Sequence, residues 1–436
     1  MVCAIFKSPG FFAQFECAPL ICASYDEVSG GDRLKKSGPL GKMCLCKEKH
    51  LDRWTRQANV AQIWRVAEAG KTGEGNIAIH DWKRERYRCK ICKRTFSAKQ
   101  GTMFEGLRKP VELIVIVVTL LSYGCPIQAI VQAFGLDERT VAHWRDRAGV
   151  HCQQVHRDIV EQGNLDLMHV QADEIRVKGC KMIVWMGMAM MVSTRLWLGG
   201  VIQLSRDRSL ADRLLAQVRR GAVCLRPLLV ITDGWSAYPG SIRRAFREKV
   251  KRTQGVGRAC LEIWPELHIG TVIKRTEKKR VVEITRRMTH GLLSKAEQLL
   301  QASRGGSVLN TAFIERLNGT FRQRLACLTR KCRHASRRLQ ALERGMYLIG
   351  CTYNFCVVHH ELSKTSHLGS ACTPAMAAGL SDHIWSVCEL LSYRIAPPPW
   401  IEPKKRGRPR KQAQPTKTVP LRPRVRLRKG VLCSTV

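Results

Sequence analysis

The chain is poor in acidic residues. Its 436 residues include 35 Asp and Glu against 74 Lys and Arg, which gives a formal net charge of +39. This deficit leaves far more positive charge uncompensated than solubility requires, and it indicates a polyanionic partner. Double-stranded DNA is the partner that we expect.

The sequence also lacks a long apolar run. The longest, Met182 to Val192, has eleven residues, whereas a membrane-spanning helix needs roughly 20. The apolar stretch at residues 1–23 is interrupted by charged residues and prolines, so we do not expect a signal peptide. We therefore predict nucleic acid, and no membrane, as the polyanion.

Regular cysteine spacing of the kind found in disulfide-stapled proteins is absent as well. The 19 cysteines are odd in number and scattered through a chain that is 44% apolar and can build a large core. We expect reduced thiols in the cytoplasm, close to the nucleoid, with a few cysteines reserved for metal.

One pair of cysteines has the spacing of a zinc site. Two residues separate Cys89 from Cys92 within a basic, strand-like run, as they separate the thiolates of a zinc knuckle. The second pair would be Cys44 and Cys46, which is one residue tighter than usual, and His50 is a possible substitute ligand. We predict a zinc-ribbon-like module that binds Zn²⁺; buried thiols without metal are the alternative.

Two short amphipathic helices follow, with Gly135 in the turn between them. The first covers residues 126–134, and the second, residues 137–147, has Val141 and Trp144 on its apolar side. This arrangement predicts a helix-turn-helix, whose second helix enters the major groove. The side chains expected to reach DNA are Arg139, Thr140, His143 and Arg147. A packed helical hairpin is the alternative, and a connecting helix is predicted at 153–163.

The pattern then changes to strands. Residues 167–177, 181–192 and 196–204 predict an antiparallel meander of three strands. A helix at 209–220 and a continuous apolar strand at 227–232 predict an α/β crossover. We therefore expect a mixed sheet flanked by helices, with the ligand site at the carboxyl ends of its strands.

Three acidic residues stand where such a site would form. Asp173 lies in the first strand, Asp233 follows the later apolar strand, and Glu315 lies in a helical run. Carboxylates suit Mg²⁺ or Mn²⁺, and two such ions support phosphodiester chemistry. We predict that Asp173 bridges both ions, while Asp233 and Glu315 hold one each. Arg322, on the same helix face as Glu315, would hold a phosphate. Glu174 is left out, because strand alternation directs it to the opposite face.

Positive charge concentrates in two further stretches. Residues 241–290 are rich in Lys and Arg, and we expect contacts with the DNA backbone there rather than a solvated loop. Residues 401–436 hold twelve Lys or Arg against one Glu, which predicts a disordered basic tail. In that tail, Arg406 and Arg408 flank a glycine in a motif that resembles the AT-hook. Both arginines are predicted to enter the minor groove of A·T-rich DNA.

Several of these motifs resemble those of the DDE transposases of bacterial insertion sequences. They are Gln-Ala-Asp-Glu at 171–174, Asp-Gly-Trp-Ser-Ala-Tyr at 233–238, Phe-Ile-Glu-Arg-Leu-Asn at 313–318 with Arg322, a closing turn at 353–356 with His359, and the segment 373–380. The resemblance covers roughly residues 85–390. It implies an RNase H-like catalytic domain, Mg²⁺ dependence, recognition of terminal inverted repeats and homo-oligomeric assembly on paired DNA ends. The tight Cys44–Cys46 pair, the first forty residues and the basic tail depart from the family pattern.

The predicted organisation has five parts. They are an unassigned segment at 1–40, the zinc-ribbon-like module at 41–108, the helix-turn-helix domain at 109–163, an α/β, RNase H-like catalytic domain at 164–395 and the basic tail at 396–436. The leading hypothesis is a transposase that cuts element ends and joins them to target DNA. A catalytically silent regulatory or architectural DNA-binding protein and a simple metal nuclease are the alternatives.

The AT-hook interpretation predicts a sequence-selective effect. Replacing Arg406 and Arg408 by Ala should weaken binding to an A·T-rich duplex by about 1–3 kcal/mol, because both guanidinium groups leave the minor groove. Fluorescence anisotropy with A·T-rich and G·C-rich duplexes measures the difference. The matched control replaces Arg424 and Arg426, in the same tail but outside the motif. An equal loss on the G·C-rich duplex would refute the interpretation.

Overall fold

The structure is a computed structural model of the chain. It describes residues 77–82, 84–89, 95–179, 182–250, 259–278, 280–328, 338–365 and 369–395. The segment predicted as unassigned and the basic tail lie outside these ranges, and Cys89 is described through its backbone only.

A small antiparallel sheet begins the described chain. Its strands are β1 (Ile77–Asp81), β2 (Arg86–Cys89) and β3 (Thr95–Ser97), with β2 in the middle. Tyr87 and Phe96 are paired across β2 and β3, and their ring centroids lie 5.6 Å apart. Such cross-strand aromatic pairs stabilise short strands. The zinc-ribbon-like module is predicted over this sheet, and its metal site stays a prediction.

Three helices follow the small sheet. They are α1 (Val111–Ser122), α2 (Ile127–Phe134) and α3 (Glu138–Ile159). α2 ends at Gly135, whose φ of 60° is the left-handed conformation that glycine adopts without strain. α3 begins at Asp137, whose carboxylate accepts hydrogen bonds from the backbone N–H groups of Arg139 and Thr140. The left-handed glycine and the capping aspartate together explain the turn between the two predicted helices.

α3 unites the predicted second helix and the predicted connecting helix into one helix of 22 residues. In its second half, Val155 and Ile159 belong to the same hydrophobic core as the central sheet. His156 packs on the ring of Trp197, with centroids 4.7 Å apart. In α2, we expect Ile127, Ile130, Val131 and Phe134 on one apolar face from the sequence; Ile130 is buried, whereas Phe134 is exposed.

The centre of the fold is a six-stranded mixed sheet. The later strands are β4 (His169–Gly179), β5 (Met182–Met191), β6 (Trp197–Gln203), β7 (Leu228–Asp233), β8 (Arg247–Val250), β9 (Cys260–Ile263), β10 (Leu267–Glu277) and β11 (Arg280–His290). β8 and β9 form a separate hairpin, and the central order is β11-β10-β7-β4-β5-β6. β4, β5 and β6 are antiparallel neighbours, β7 runs parallel to β4 and β10 parallel to β7, and β11 returns antiparallel to β10.

Helices cover both faces of this sheet. The later helices are α4 (Arg208–Gly221), α5 (Ala237–Ala245), α6 (Leu293–Ala302), α7 (Ala312–Arg324), α8 (Leu339–Phe355), α9 (His360–Thr365), α10 (Pro374–Ala377) and α11 (Val387–Ser392), with a 3₁₀ turn at Ala326–Leu328. On one face, α4 lies over Gly187 through Leu214. On the other face, α7 is bonded to Gln171 through Ile314. The predicted mixed α/β sheet flanked by helices is confirmed. No helix in the described ranges is long and apolar enough to cross a bilayer.

The structure adds detail to one expectation and corrects another. The described residues of the basic stretch 241–290 lie mainly in the end of α5 and in the strands β8 to β11, and the DNA contact expected there stays a prediction. Residues 353–355, expected in a closing turn, form the buried end of α8. There the Asn354 amide accepts a hydrogen bond from Trp197 N–H and donates one to Trp197 C=O, both at 2.9 Å. Because β6 is an edge strand, this amide satisfies backbone groups that the sheet leaves unpaired.

Asn354 should therefore be important for stability. Asn354→Ala should lower the free energy of unfolding by about 2–4 kcal/mol, because it leaves a buried backbone donor and a buried acceptor without partners. Urea denaturation followed by tryptophan fluorescence measures the loss. Gln298→Ala, which removes an exposed amide on α6, is the control and should change stability by less than about 0.5 kcal/mol. Similar stabilities for the two variants would contradict the role of the amide.

Candidate metal centre

The pairing of β4 with β7 brings two predicted acids together. These strands are parallel, and Ala172 lies opposite Thr232 in their register. The next residues, Asp173 and Asp233, therefore lie side by side with their side chains on the same face. Val272 of β10 is in register with Asp233. The centre thus lies where β7 ends, at its carboxyl end, as in other open α/β sheets.

A third carboxylate completes this cluster, and it is not the predicted one. Asp173, Glu174 and Asp233 each offer one oxygen, and the three oxygens lie within 4.8 Å of one another. Glu174 was not expected here, because strand alternation directs it to the face opposite Asp173. The structure corrects this exclusion, because the Glu174 carboxylate reaches the same position at the end of β7.

Neighbouring groups hold these carboxylates in place. Asn318 donates to Asp173 Oδ2 at 2.8 Å, and the Glu174 N–H donates to Asp173 Oδ1 at 2.8 Å. Tyr238 O–H donates to Glu174 Oε2 at 3.0 Å. The Arg206 guanidinium forms an ion pair with Glu174 and lies 3.4 Å from Asp233 Oδ2. These contacts fix the direction of each carboxylate before any ligand binds.

Glu315 lies on α7, across a cleft from Asp233. The two side chains line the same cleft of about 540 Å³, together with Lys274 and Thr311. Glu315 is outside the three-oxygen cluster, and its carboxylate accepts hydrogen bonds from the Lys274 ammonium and from Thr311 O–H. Burial alone would raise the pKa of Glu315, but these two hydrogen bonds lower it below its usual value.

The start of α7 is positioned by a buried amide on β4. Gln171 accepts a hydrogen bond from Ile314 N–H at 3.0 Å and donates one to Asn310 C=O at 2.8 Å. α7 has no side-chain cap of its own, so Gln171 satisfies one of the backbone donors that every helix start leaves open. This contact sets where Glu315 and Asn318 lie relative to Asp173.

The clustered acids resist ionisation. Burial, and then the negative charge of Asp233, raise the pKa of Asp173 to about 6. The same two causes raise the pKa of Glu174 to about 7, although Arg206 opposes them. Groups with such shifted pKa values in a cleft are candidates for a functional site. A bound cation would relieve the repulsion between them.

The donor set fits a hard divalent cation. Three carboxylate oxygens lie close together, as Mg²⁺ or Mn²⁺ requires, with room in the cleft for water ligands. Asn318 Oδ1 is buried beside Asp173 without a hydrogen-bond partner in the described part of the chain, so a further oxygen is available. Zn²⁺ would favour nitrogen or sulfur ligands instead.

The other predicted site residues lie elsewhere. Arg322, on α7, is close enough to the acids for its charge to lower the pKa of Asp173. On α3, Arg139 and His143 are exposed and Thr140 is half-buried. Arg147 donates to the carbonyl of Met103 at 2.7 Å, which ties it to the segment after β3. Cys44, Cys46, Cys92, Arg406 and Arg408 lie outside the described residues.

Sequence reasoning missed three members of the site. Lys274 was counted only as part of a basic stretch, and Arg206 and Tyr238 were not singled out. Arg206 lies after β6, and its role arises from contacts with Glu174 and Asp233 that are distant in sequence. A signal existed for Tyr238 alone, because it belongs to the segment that follows Asp233.

Comparison with known proteins gives similarity to solved structures alone. No family model matches the chain, and the search of curated proteins finds no match. Among solved structures, a piggyBac transposase in a synaptic complex with hairpin DNA is similar at a TM-score of 0.32 and 10% identity. The similarity covers 69% of this chain and 75% of that chain. A likeness at this level establishes neither a family nor a function.

The raised pKa values predict how cation binding depends on pH. The affinity for Mn²⁺ should fall by about 10- to 100-fold between pH 7.5 and pH 5.5, because protons compete for Asp173 and Glu174 in this range. Isothermal titration calorimetry measures it, and Asp173→Asn should bind weakly at both pH values. Ordinary carboxylates, with pKa values near 4, would show little change. A constant affinity in the wild type would exclude these acids as ligands.

The same shifts have a consequence for the metal-free protein. From about pH 4 to pH 7 the folded state binds more protons than the unfolded state, so stability should decrease as the pH rises through this window.

Addition of Mg²⁺ at pH 7.5 should raise the melting temperature, because the ion binds only the folded, ionised centre. Differential scanning calorimetry of the wild type and Asp173→Asn separates the two effects. If Mg²⁺ raised the melting temperature of Asp173→Asn as much as that of the wild type, the assignment of Asp173 as a metal ligand would be contradicted.

Proposed function

We propose that the protein is a DNA transposase that cleaves DNA ends and joins them to target DNA with Mg²⁺, through Asp173, Asp233 and Glu315. The observation that carries this proposal is the pairing of Asp173 with Asp233 on adjacent parallel strands, with Glu315 across the same cleft. The net charge of +39 supports a nucleic-acid substrate.

We assign the central sheet and its helices to an RNase H-like catalytic domain, at residues 164–395. The mixed order of the sheet supports this assignment, as does the origin of the acids on β4, β7 and a helix. In this proposal, Glu174 is either an additional ligand of the metal or the carboxylate that neutralises the charge of Arg206.

The chain's own residues would prepare the reaction. A divalent metal, which Asp173, Asp233 and Glu315 would hold, would activate a hydroxyl or water nucleophile and stabilise the leaving oxygen. Asn318 holds the Asp173 carboxylate in place through a hydrogen bond, and Arg322 offers a cation to the phosphate. Lys274 holds Glu315 at the cleft wall. A phosphate that attracts Lys274 would release Glu315 toward the other acids.

Further modules of the chain would recognise the DNA. We propose that α3 reads a major groove through Arg139, Thr140 and His143, with Arg147 supporting the helix from inside. The zinc-ribbon-like module with Cys44, Cys46, Cys89 and Cys92, and the tail with Arg406 and Arg408, would add contacts. Assembly as a homo-oligomer on paired ends, in the cytoplasm at the nucleoid, completes the proposal.

A catalytically silent DNA-binding protein is the second candidate. One observation favours it: Glu315 is paired with Lys274 and Glu174 with Arg206, so cations already compensate part of the acidic centre. In that case, the acids would stabilise the fold rather than hold metal.

Strand transfer distinguishes the two candidates. Mg²⁺-dependent joining is measured on duplexes that carry the sequences flanking the gene, with wild type and Asp233→Asn. The variant keeps the shape of the side chain but loses a charged ligand, so activity should fall at least about 100-fold. Asp166→Asn, which alters an exposed acid near Arg226 and outside the cleft, should keep activity.

Each outcome decides between the candidates. Equal activity of wild type and Asp233→Asn would defeat the site assignment. A wild-type protein that binds these duplexes but neither cleaves nor joins them with Mg²⁺ or Mn²⁺ would be the silent DNA-binding protein.

A further inference from the structure

Two strands of the central sheet continue beyond it. β10 pairs with β7 only as far as Val272, opposite Asp233. The next residues of β10, 273–277, pair only with β11, and Glu277 lies opposite Arg280. At about 3.3 Å per residue, this two-stranded ribbon projects about 16 Å past the acidic centre.

The base of the ribbon is fixed to the site. Lys274 forms an ion pair with Glu315 on α7, and Arg286 Nε donates to Leu309 C=O at 2.9 Å. These contacts lie on the side that faces the cleft. They give the ribbon a defined direction, so that its outer end has a fixed position relative to Asp233.

Beyond this base, the ribbon carries charge and apolar side chains into solvent. The sequence from 275 to 285 has four basic residues against two acidic ones. Val281, Val282 and Ile284 are exposed by 54%, 59% and 41%. Such side chains on a sheet edge, next to a catalytic cleft, mark an interaction surface.

The loop at the tip of the ribbon adds further positive charge to this interaction surface. Because Glu277 pairs with Arg280, two residues connect the strands, and both are lysine in the sequence. Lys278 has a φ of 46°, a conformation in which hairpin loops of this length usually have Asn or Gly. A lysine in this position costs local strain of order 1 kcal/mol or more, and the loop adds two positive charges at the outer end of the ribbon.

We propose that this ribbon, residues 273–285, enters the major groove of duplex DNA and positions the DNA backbone at the acidic centre. The major groove, about 12 Å wide and 8.5 Å deep, admits a two-stranded β-ribbon. Lys278 and Arg280 contact phosphates, and Val281 and Val282 contact thymine methyl groups. A second copy of the chain fits this surface less well, since two identical basic ribbons repel each other. The inference rests on the proposed action on DNA, but it does not require catalysis.

A photo-crosslink locates the partner of the ribbon. Val282 is replaced by p-benzoylphenylalanine in the full-length protein, which is then irradiated with a labelled 30-base-pair duplex. The matched control places the same group at Leu225, equally exposed at 57% but at the amino end of β7. A second duplex carries glucosylated 5-hydroxymethylcytosine, which fills the major groove.

We expect the yield of DNA adduct from position 282 to be at least fivefold higher than the yield from position 225. We also expect the adduct from position 282 to be lost on the glucosylated duplex. An adduct between two protein chains would overturn the proposal in favour of a protein interface. No adduct from position 282, or an equal adduct on both duplexes, would overturn it too.

The salt dependence of binding gives an independent readout. Lys278→Gln combined with Arg280→Gln should reduce the slope of log affinity against log salt by about 1–2, because each phosphate contact contributes about 0.9. Arg213→Gln, an exposed arginine on α4 at the other end of the sheet, is the control and should leave the slope unchanged. An unchanged slope in the ribbon variant would overturn the proposal. Both assays measure binding alone, so their failure is distinct from a failure of strand transfer.

Discussion

The parallel contact between β4 and β7 is the constraint on which the site depends. It places Asp173 and Asp233 side by side, and the register of the two strands fixes the distance between their backbones. Burial disfavours the ionised form of Asp173, and the like charge of Asp233 at close range adds to this, so the pKa of Asp173 is raised to about 6. The Glu174 N–H and the charge of Arg322 lower this pKa but do not cancel the rise. A divalent cation bound by these carboxylates would offset the remaining repulsion.

The helix side of the site depends on the same strand. Gln171, two residues before Asp173, holds the start of α7 through two hydrogen bonds. One strand therefore orients both the aspartate and the helix that carries Glu315. The cleft between Glu315 and Asp233 is set by the packing of α7 on the sheet, and a shift of α7 would change the distance between the acids.

The sequence predicts the centre of the fold better than its edges. The meander from β4 to β6, the helix α4 and the strand β7 were predicted because buried strands and amphipathic helices leave clear hydrophobic patterns. Glu174 was excluded by strand alternation, which gives the direction of its Cβ atom but not the position that its long side chain reaches. β11 was missed because its first eight residues are exposed, so no periodicity marks it. The hydrogen bond from Arg147 to Met103 was not predicted, because Met103 lies 44 residues earlier in the chain.

The continuous helix α3 has a mechanical consequence. Its first turn carries the exposed Arg139, and its last turns are packed into the core beside Trp197. A helix of 22 residues is about 33 Å long, roughly ten base pairs of DNA. If the first turn reads bases, α3 acts as a rigid ruler between the bases recognised and the sheet that holds the acids. The number of base pairs between recognition and reaction would then be set by the length of one helix.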